Sequence, residues 1–170
     1  MITTTPKEEE VFMKILVLSD SHGNIRGVRE AVARFGKKAD VIIHCGDSRN
    51  EADWLMSNCP SSSVVCVRGN CDWGSTLDNT EFLDIAGKKI MVTHGHLYSV
   101  KYGLDNLGYA AEENNADIVF FGHTHVPTDE LFGNVRLINP GSAGSYERSC
   151  AVVEIDEKGN VLVNHLKIPE

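Results

Sequence analysis

A chain of 170 residues suits one domain with a substantial core, and 42% apolar and 24% charged residues is an ordinary globular composition. The formal charge of −8 disfavours broad attraction to duplex nucleic acid; no apolar run is long enough to span a bilayer, and no signal-peptide stretch follows the start. Five cysteines (Cys45, Cys59, Cys66, Cys71 and Cys150) with no C-x-x-C pair read as reduced thiols of a cytoplasmic protein.

Residues 1–12 are polar, lack strand alternation and are expected to be an extension without regular structure, ahead of a single domain over 13–170. Met13 could equally be the true start. Residues 14–18 are continuously apolar, as in a strand buried on both faces of a parallel sheet. Asn24 can cap a helix over 25–35, with Ile25, Val28, Val32 and Phe35 at helical spacing and Gly36 closing it. A strand at 41–45, a short helix at 51–57 and a strand at 64–68 follow. This β–α alternation implies a parallel sheet. The second half changes character. Residues 81–85 and 89–93 flank Ala86-Gly87-Lys88 as a hairpin. Residues 104–115 read as a helix and 117–121 as a buried strand. Short strands are expected at 129–132, 135–138, 151–155 and 161–166. These hairpins suggest a second, more antiparallel sheet. The expected fold class is α/β, a two-sheet sandwich flanked by helices.

Five polar clusters stand just after the apolar runs: Asp20-Ser21-His22, Gly46-Asp47, Gly69-Asn70-Cys71-Asp72, His94-Gly95-His96 and Gly122-His123-Thr124-His125. In an extended segment residues i and i+2 point the same way, so Asp20 and His22 could share a metal ion. Each cluster alone is ambiguous. A lone D-x-H after a strand is often a cap beside a surface histidine, and Gly-Asp is a common turn. Two histidines directly after a strand such as 118–121 would each need a partner in a core. Asn70 offers a weaker oxygen than a carboxylate and suits a site already rich in negative charge. Together, strands delivering Asp, Asn and His to one sheet edge can build a metal site.

The order D-x-H, G-D, G-N-x-[DE], H, G-H-x-H resembles the calcineurin-like metallophosphoesterases. From Met13 onward the chain is similar to their small YfcE-like bacterial branch. Matching stretches are Ser19-Asp-Ser-His-Gly-Asn24, His44-Cys-Gly-Asp47, Gly69-Asn-Cys-Asp72, Thr93-His-Gly-His96, Gly122-His-Thr-His125 and Asn139-Pro-Gly-Ser142. The resemblance implies a four-layer αββα sandwich with two divalent metal ions at one end. Asp20, His22, Asp47 and His125 would hold one ion. Asp47, Asn70, His94 and His123 would hold the other, with Asp47 as the bridge. The oxygen-rich, thiolate-free set favours Mn²⁺, with Fe, Zn or Ni as substitutes. The implied activity is in-line hydrolysis of a small phosphate ester, preferably a diester, by a water activated between two cations, with Asp47, Asn70 and His96 as catalytic candidates.

Many family members carry His where this chain has Cys71. A thiol is a poor substitute for that acid, so basic leaving groups should react slowly. Asp72 is then expected to bond only the loop backbone, and His96 becomes the best remaining donor. His44 reads as a satisfied core histidine, His165 as a surface one and Trp54 as helix packing. Trp73 could line the cleft. Ser142 could bond a ligand or simply belong to a turn, and Arg68 reads as a loop anchor. The rival to a hydrolase is an interaction scaffold like the retromer subunit of this fold, which should have lost ligands, whereas all seven positions here are competent. Long nucleic acid is not expected as a partner, nor is a membrane; a homo-oligomer is left open.

Overall fold

A computed structural model describes residues 12–170, so the expected extension lies largely outside the described residues. Among the described residues, ten strands form two five-stranded sheets. They are β1 (Met13–Leu18), β2 (Val41–His44), β3 (Ser63–Cys66), β4 (Thr80–Ile85), β5 (Lys88–Thr93), β6 (Ile118–Phe120), β7 (Thr128–Phe132), β8 (Val135–Asn139), β9 (Ser149–Ile155) and β10 (Val161–Lys167). The first sheet has the order β10-β9-β1-β2-β3 and the second β4-β5-β6-β8-β7.

The second sheet is not the more antiparallel one. Each sheet has a parallel heart, β1-β2-β3 in the first and β5-β6-β8 in the second, with antiparallel strands outside it. The last hairpin, β9 and β10, returns to β1 instead of extending the second sheet. There Ala151 and Val153 of β9 extend the apolar face formed by Ile15 and Val17.

Alternation along the strands builds the layers. Ile15 and Val17 of β1 face the second sheet, packing with Ile90, Val92, Ile118 and Phe120. Leu16 and Leu18 face outward beneath α1 (Ile25–Ala31) and α2 (Glu51–Asn58), against Val28, Ala31 and Leu55. Met91 and Val119 do the same on the other sheet, under Leu107 and Ala111 of α3 (Asp105–Glu113). Helices therefore cover both outer faces and the molecule is the four-layer sandwich.

Asn24 caps α1 by accepting the Gly27 N–H at 3.1 Å, but the regular helix stops at Ala31. Val32–Gly36 continues as a wider π turn that lays Gly36 against Leu16. The β4–β5 hairpin has a two-residue loop, Ala86-Gly87, with φ of 49° and 77°, the primed turn that matches strand twist. No helix among the described residues is long and apolar enough to cross a membrane.

Candidate metal centre

The parallel strands run β1-β2-β3 and β5-β6-β8 toward one edge of the sandwich, and all five polar clusters follow their C-terminal ends. The loops are tied together across that edge. The Asp20 N–H donates to Gly46 O at 3.0 Å, His22 N–H to Asp47 O at 2.9 Å and Gly122 N–H to His94 O at 3.0 Å. Between the sheets, His123 N–H donates to Asp20 Oδ2 at 2.9 Å and His94 Nδ1–H to Cys45 O at 2.8 Å. Gly69 and Gly122 make this approach possible: a Cβ on the first would strike the Asp47 carboxylate, and on the second Ser19 and Asp20.

All seven donor residues expected from the clusters converge here. Asp20, His22 and His125 form one group and Asp47, His94 and His123 another, with Asn70 beside His94; a third overlapping group joins His22 and Asp47 to the Cys71 thiol, which lies outside the donor set expected from the sequence. In the first, His125 Nε2 stands 3.2 Å and His22 Nε2 3.6 Å from Asp20 Oδ1. In the second, His94 Nε2 is 3.2 Å from Asp47 Oδ2 and 3.1 Å from Asn70 Oδ1. Asp47 lies between them. Its Oδ1 accepts the Cys71 N–H at 2.8 Å, which leaves Oδ2 facing His94 and, at 3.7 Å, His22.

The route to this convergence differs from the sequence expectation. Asp20 and His22 are not extended; their φ values are 53° and 49°. Asp47, His123 and His125 are also left-handed, at 56°, 71° and 62°. Turns, not a pleat, aim these side chains, which is why His123 and His125, two residues apart, point into different groups. Left-handed backbone at five non-glycine residues is strain held by the surrounding hydrogen bonds.

The electrostatics suit a cation. Asp20 Oδ1 is buried and has no hydrogen-bond partner in the protein. His94 spends its Nδ1–H on Cys45, so its Nε2 lone pair is directed at two oxygen acceptors, and His22 Nε2 faces His125 Nε2 at 3.2 Å. Either a proton or a cation must lie between such atoms. Burial works to raise the Asp47 carboxyl, but His94 and the Cys71 N–H outweigh it and hold it well below the usual range. Asp20 is likewise lowered against its burial, chiefly by His125 and His94. Burial also disfavours charge on His94, yet Asp47 and Asp20 raise it overall. His125 is raised by the Asp20 carboxylate beside it. His123 is lowered to about 4 by burial and the neighbouring His94.

The remaining predicted residues sort clearly. His96 opens a short 3₁₀ turn, His96–Tyr98, with its ring 5.4 Å from that of His94 and its buried Nδ1 without a protein partner; burial, then His94, lowers its pKa. His44 is fully buried and neutral: its Nδ1 accepts the Gly46 N–H at 3.2 Å, its Nε2–H donates to Ser21 Oγ at 2.9 Å, and burial lowers its pKa to about 4. Ser142 is turned inward. It is buried, donates to Asp20 O at 2.8 Å and accepts from Gly144 and Ser145 N–H groups, so it supports the Asp20 loop. His165 is exposed and bonds Asn139 O. Trp54 packs on the α1–α2 layer beneath Arg29, and the indole of Trp73 is 90% exposed.

Asp72 bonds the loop backbone as expected, but that of two loops at once. Its Oδ2 accepts from Asp47 and Gly69 N–H and its Oδ1 from Ser48 and Arg49 N–H, at 2.7 to 3.1 Å. Four backbone donors on one buried carboxylate lock the Asp47 loop to the Asn70 loop. Cys71 beside it is exposed, its thiol raised by burial of the group and by Asp47. The other four cysteines are buried and free. Two cations at the rim had no sequence signal, because neither belongs to a cluster: Arg49, whose guanidinium lies against Gly23, and Lys101, whose charge is felt by His123 and His125.

Two cavities flank the centre. One, about 650 Å³, is lined by His125, Val126, Pro127 and Tyr146; the other, about 590 Å³, by Arg49, Met56, Cys71 and Trp73.

Comparison with known proteins identifies the family. The calcineurin-like phosphoesterase superfamily domain matches residues 13–158. The chain is 38% identical over 131 residues to the probable metallophosphoesterase YsnB of Bacillus subtilis, covering 76% of this chain and 75% of that protein. It is 28% identical over 156 residues to the phosphodiesterase YfcE of Escherichia coli K12, covering 76% and 79%. A predicted phosphoesterase of Streptococcus pneumoniae has the same fold, with a TM-score of 0.72 and 29% identity over 92% of this chain and 98% of its own. The chain belongs to the calcineurin-like phosphoesterase superfamily and thereby to the metal-dependent phosphoesterases.

Proposed function

We propose that the protein is a phosphodiesterase that holds two divalent cations, with Asp20, His22, Asp47 and His125 around one and Asp47, Asn70, His94 and His123 around the other. The observation that carries this reading is the Asp47 Oδ2 oxygen, turned by the Cys71 N–H toward both donor groups at once. Bound there, the cations supply the charge that makes water nucleophilic near neutral pH and offsets charge on the phosphoryl oxygens. Manganese is the expected metal, since the donors are oxygen and imidazole.

The chain's own residues do the rest. The Cys45 carbonyl fixes the His94 tautomer so that Nε2 points inward. Asp72 and Ser142 hold the loops that carry Asp47 and Asp20. His96, neutral and adjacent to His94 and His123, is placed to hydrogen-bond the ester. Cys71 at the rim carries a thiol with a raised pKa, a weak proton donor to a departing alkoxide. A diester with a good leaving group does not need that donor. The complete donor set also favours hydrolysis over a scaffold role.

The test compares bis-p-nitrophenyl phosphate with p-nitrophenyl phosphate in the presence of Mn²⁺. The diester is expected to be preferred by about tenfold or more in kcat/KM. In Cys71→His, monoester turnover is expected to rise by about tenfold or more, within the range of general acid catalysis. A wild-type preference for the monoester would refute the argument.

A further inference from the structure

The cavity beside Cys71 has a composition that the phosphoryl chemistry does not require. Its metal end is Cys71, whose thiol falls within the same donor cluster as His22 and Asp47. From there it opens onto Trp73, whose indole is 90% exposed, and Met56, 47% exposed. An exposed indole anchored next to a reaction centre leaves a flat apolar face in water, a cost to the unliganded protein. The rim opposite carries the Arg49 guanidinium, which runs from the cavity across Gly23 toward the His22 loop and forms no salt bridge among the described residues. Asp53 lines the same wall and offers an acceptor. The cavity, about 590 Å³, lies within the usual range for small-ligand sites.

An aromatic face, a guanidinium and a carboxylate around one small cavity match the three parts of a nucleotide. The indole can stack a base, the guanidinium can meet a phosphate oxygen, and the carboxylate can accept from a sugar hydroxyl or an exocyclic amine. The opposite cavity also has an aromatic ring, a guanidinium and a carboxylate, at Tyr146, Arg148 and Glu147, but its Arg148 is buried and donates to Pro169 O at 2.7 Å, whereas Arg49 forms no salt bridge or side-chain hydrogen bond among the described residues. We propose that Trp73, Arg49 and Asp53 form a nucleoside subsite, so that the substrate is a small phosphodiester in which one alcohol belongs to a nucleoside. This rests on the phosphoesterase reading for its catalytic consequence, but not for binding.

Two measurements separate them. The first compares the p-nitrophenyl ester of thymidine 5′-phosphate with ethyl p-nitrophenyl phosphate, which share a leaving group, in Mn²⁺-loaded protein. The nucleoside ester is expected to have the higher kcat/KM, and in Trp73→Ala the ratio should fall about tenfold, mostly through KM, with Trp73→Phe keeping most of it. The second titrates metal-free protein with thymidine 5′-monophosphate by calorimetry. Saturable binding is expected in the wild type, weakened about tenfold in Trp73→Ala and also weakened in Arg49→Gln. Binding without hydrolysis of either ester would leave the subsite standing and remove the hydrolase reading. Hydrolysis of both esters at a ratio unchanged by Trp73→Ala would overturn the subsite, as would a loss that appears in Tyr146→Ala instead.

Discussion

At the scale of single residues, the most consequential side chains are two that touch no substrate. Asp72 joins four backbone N–H groups, two of them on Asp47 and Gly69. In Asp72→Asn an amide NH₂ must face donors that a carboxylate oxygen accepted. The expected cost is about 2 to 4 kcal/mol in urea denaturation, with weaker metal binding by calorimetry because Asp47 loses its support. His44 makes the pH prediction. It is buried and neutral, lowered from 6.5 to about 4. Between these values the unfolded chain takes up a proton that the native protein refuses, so stability falls as pH drops through that window and levels off below it. Metal-free wild type is expected to lose about 2 to 3 kcal/mol more than His44→Gln between pH 7 and pH 4.5, measured by urea denaturation at each pH. Much of this scale was legible beforehand. A histidine or aspartate directly after an apolar run has few bland explanations once five such clusters occur in order. The four bonds to Asp72 were not legible, because they depend on two loops from different strands meeting. Nor was the left-handed backbone at Asp20 and His22, since only glycine announces it in a sequence.

At the scale of elements, most strands were readable because they carry apolar or alternating runs between polar turns, and all three hairpins carry Gly at the turn. Sheet membership was less readable. Nothing local to residues 149–155 says whether they pair with β8 or with β1, because the same apolar face serves either sheet; only the open edge of β1 decides it. The π turn after Ala31 was hidden for a similar reason, as its residues have ordinary helical propensity. The contact of α3 with β7 gives a prediction whose sign propensity alone would reverse. Gly108 sits against the ring of Phe132, which itself meets Tyr109 edge-on. Gly108→Ala should help a free helix by about 1 kcal/mol, but here overpacking should make it destabilising by about 1 to 3 kcal/mol, read from thermal melts.

At the scale of the whole molecule, the two sheets share an apolar layer, and their loops meet at one edge around two carboxylates and five histidines. Cations there bind the native state alone and should raise its stability by mass action. Saturating Mn²⁺ is expected to raise the melting temperature of chelator-treated protein by several degrees, equivalent to about 3 to 4 kcal/mol at roughly a thousand times the dissociation constant. Asp47→Ala should abolish the shift, and an equal shift in that variant would contradict the bridging assignment. The pairing of β9 with β1 has a further consequence, for the order of events during synthesis. The donor residues lie between 20 and 125, yet β1, which carries the first of them, gains its second neighbour only from residues 149–155. A nascent chain that already holds every donor still has an unpaired, apolar strand edge beneath them. Closure of the donor edge therefore waits for residues 149–155, which follow every donor in the chain, so that edge is completed only after all of its donors are in place.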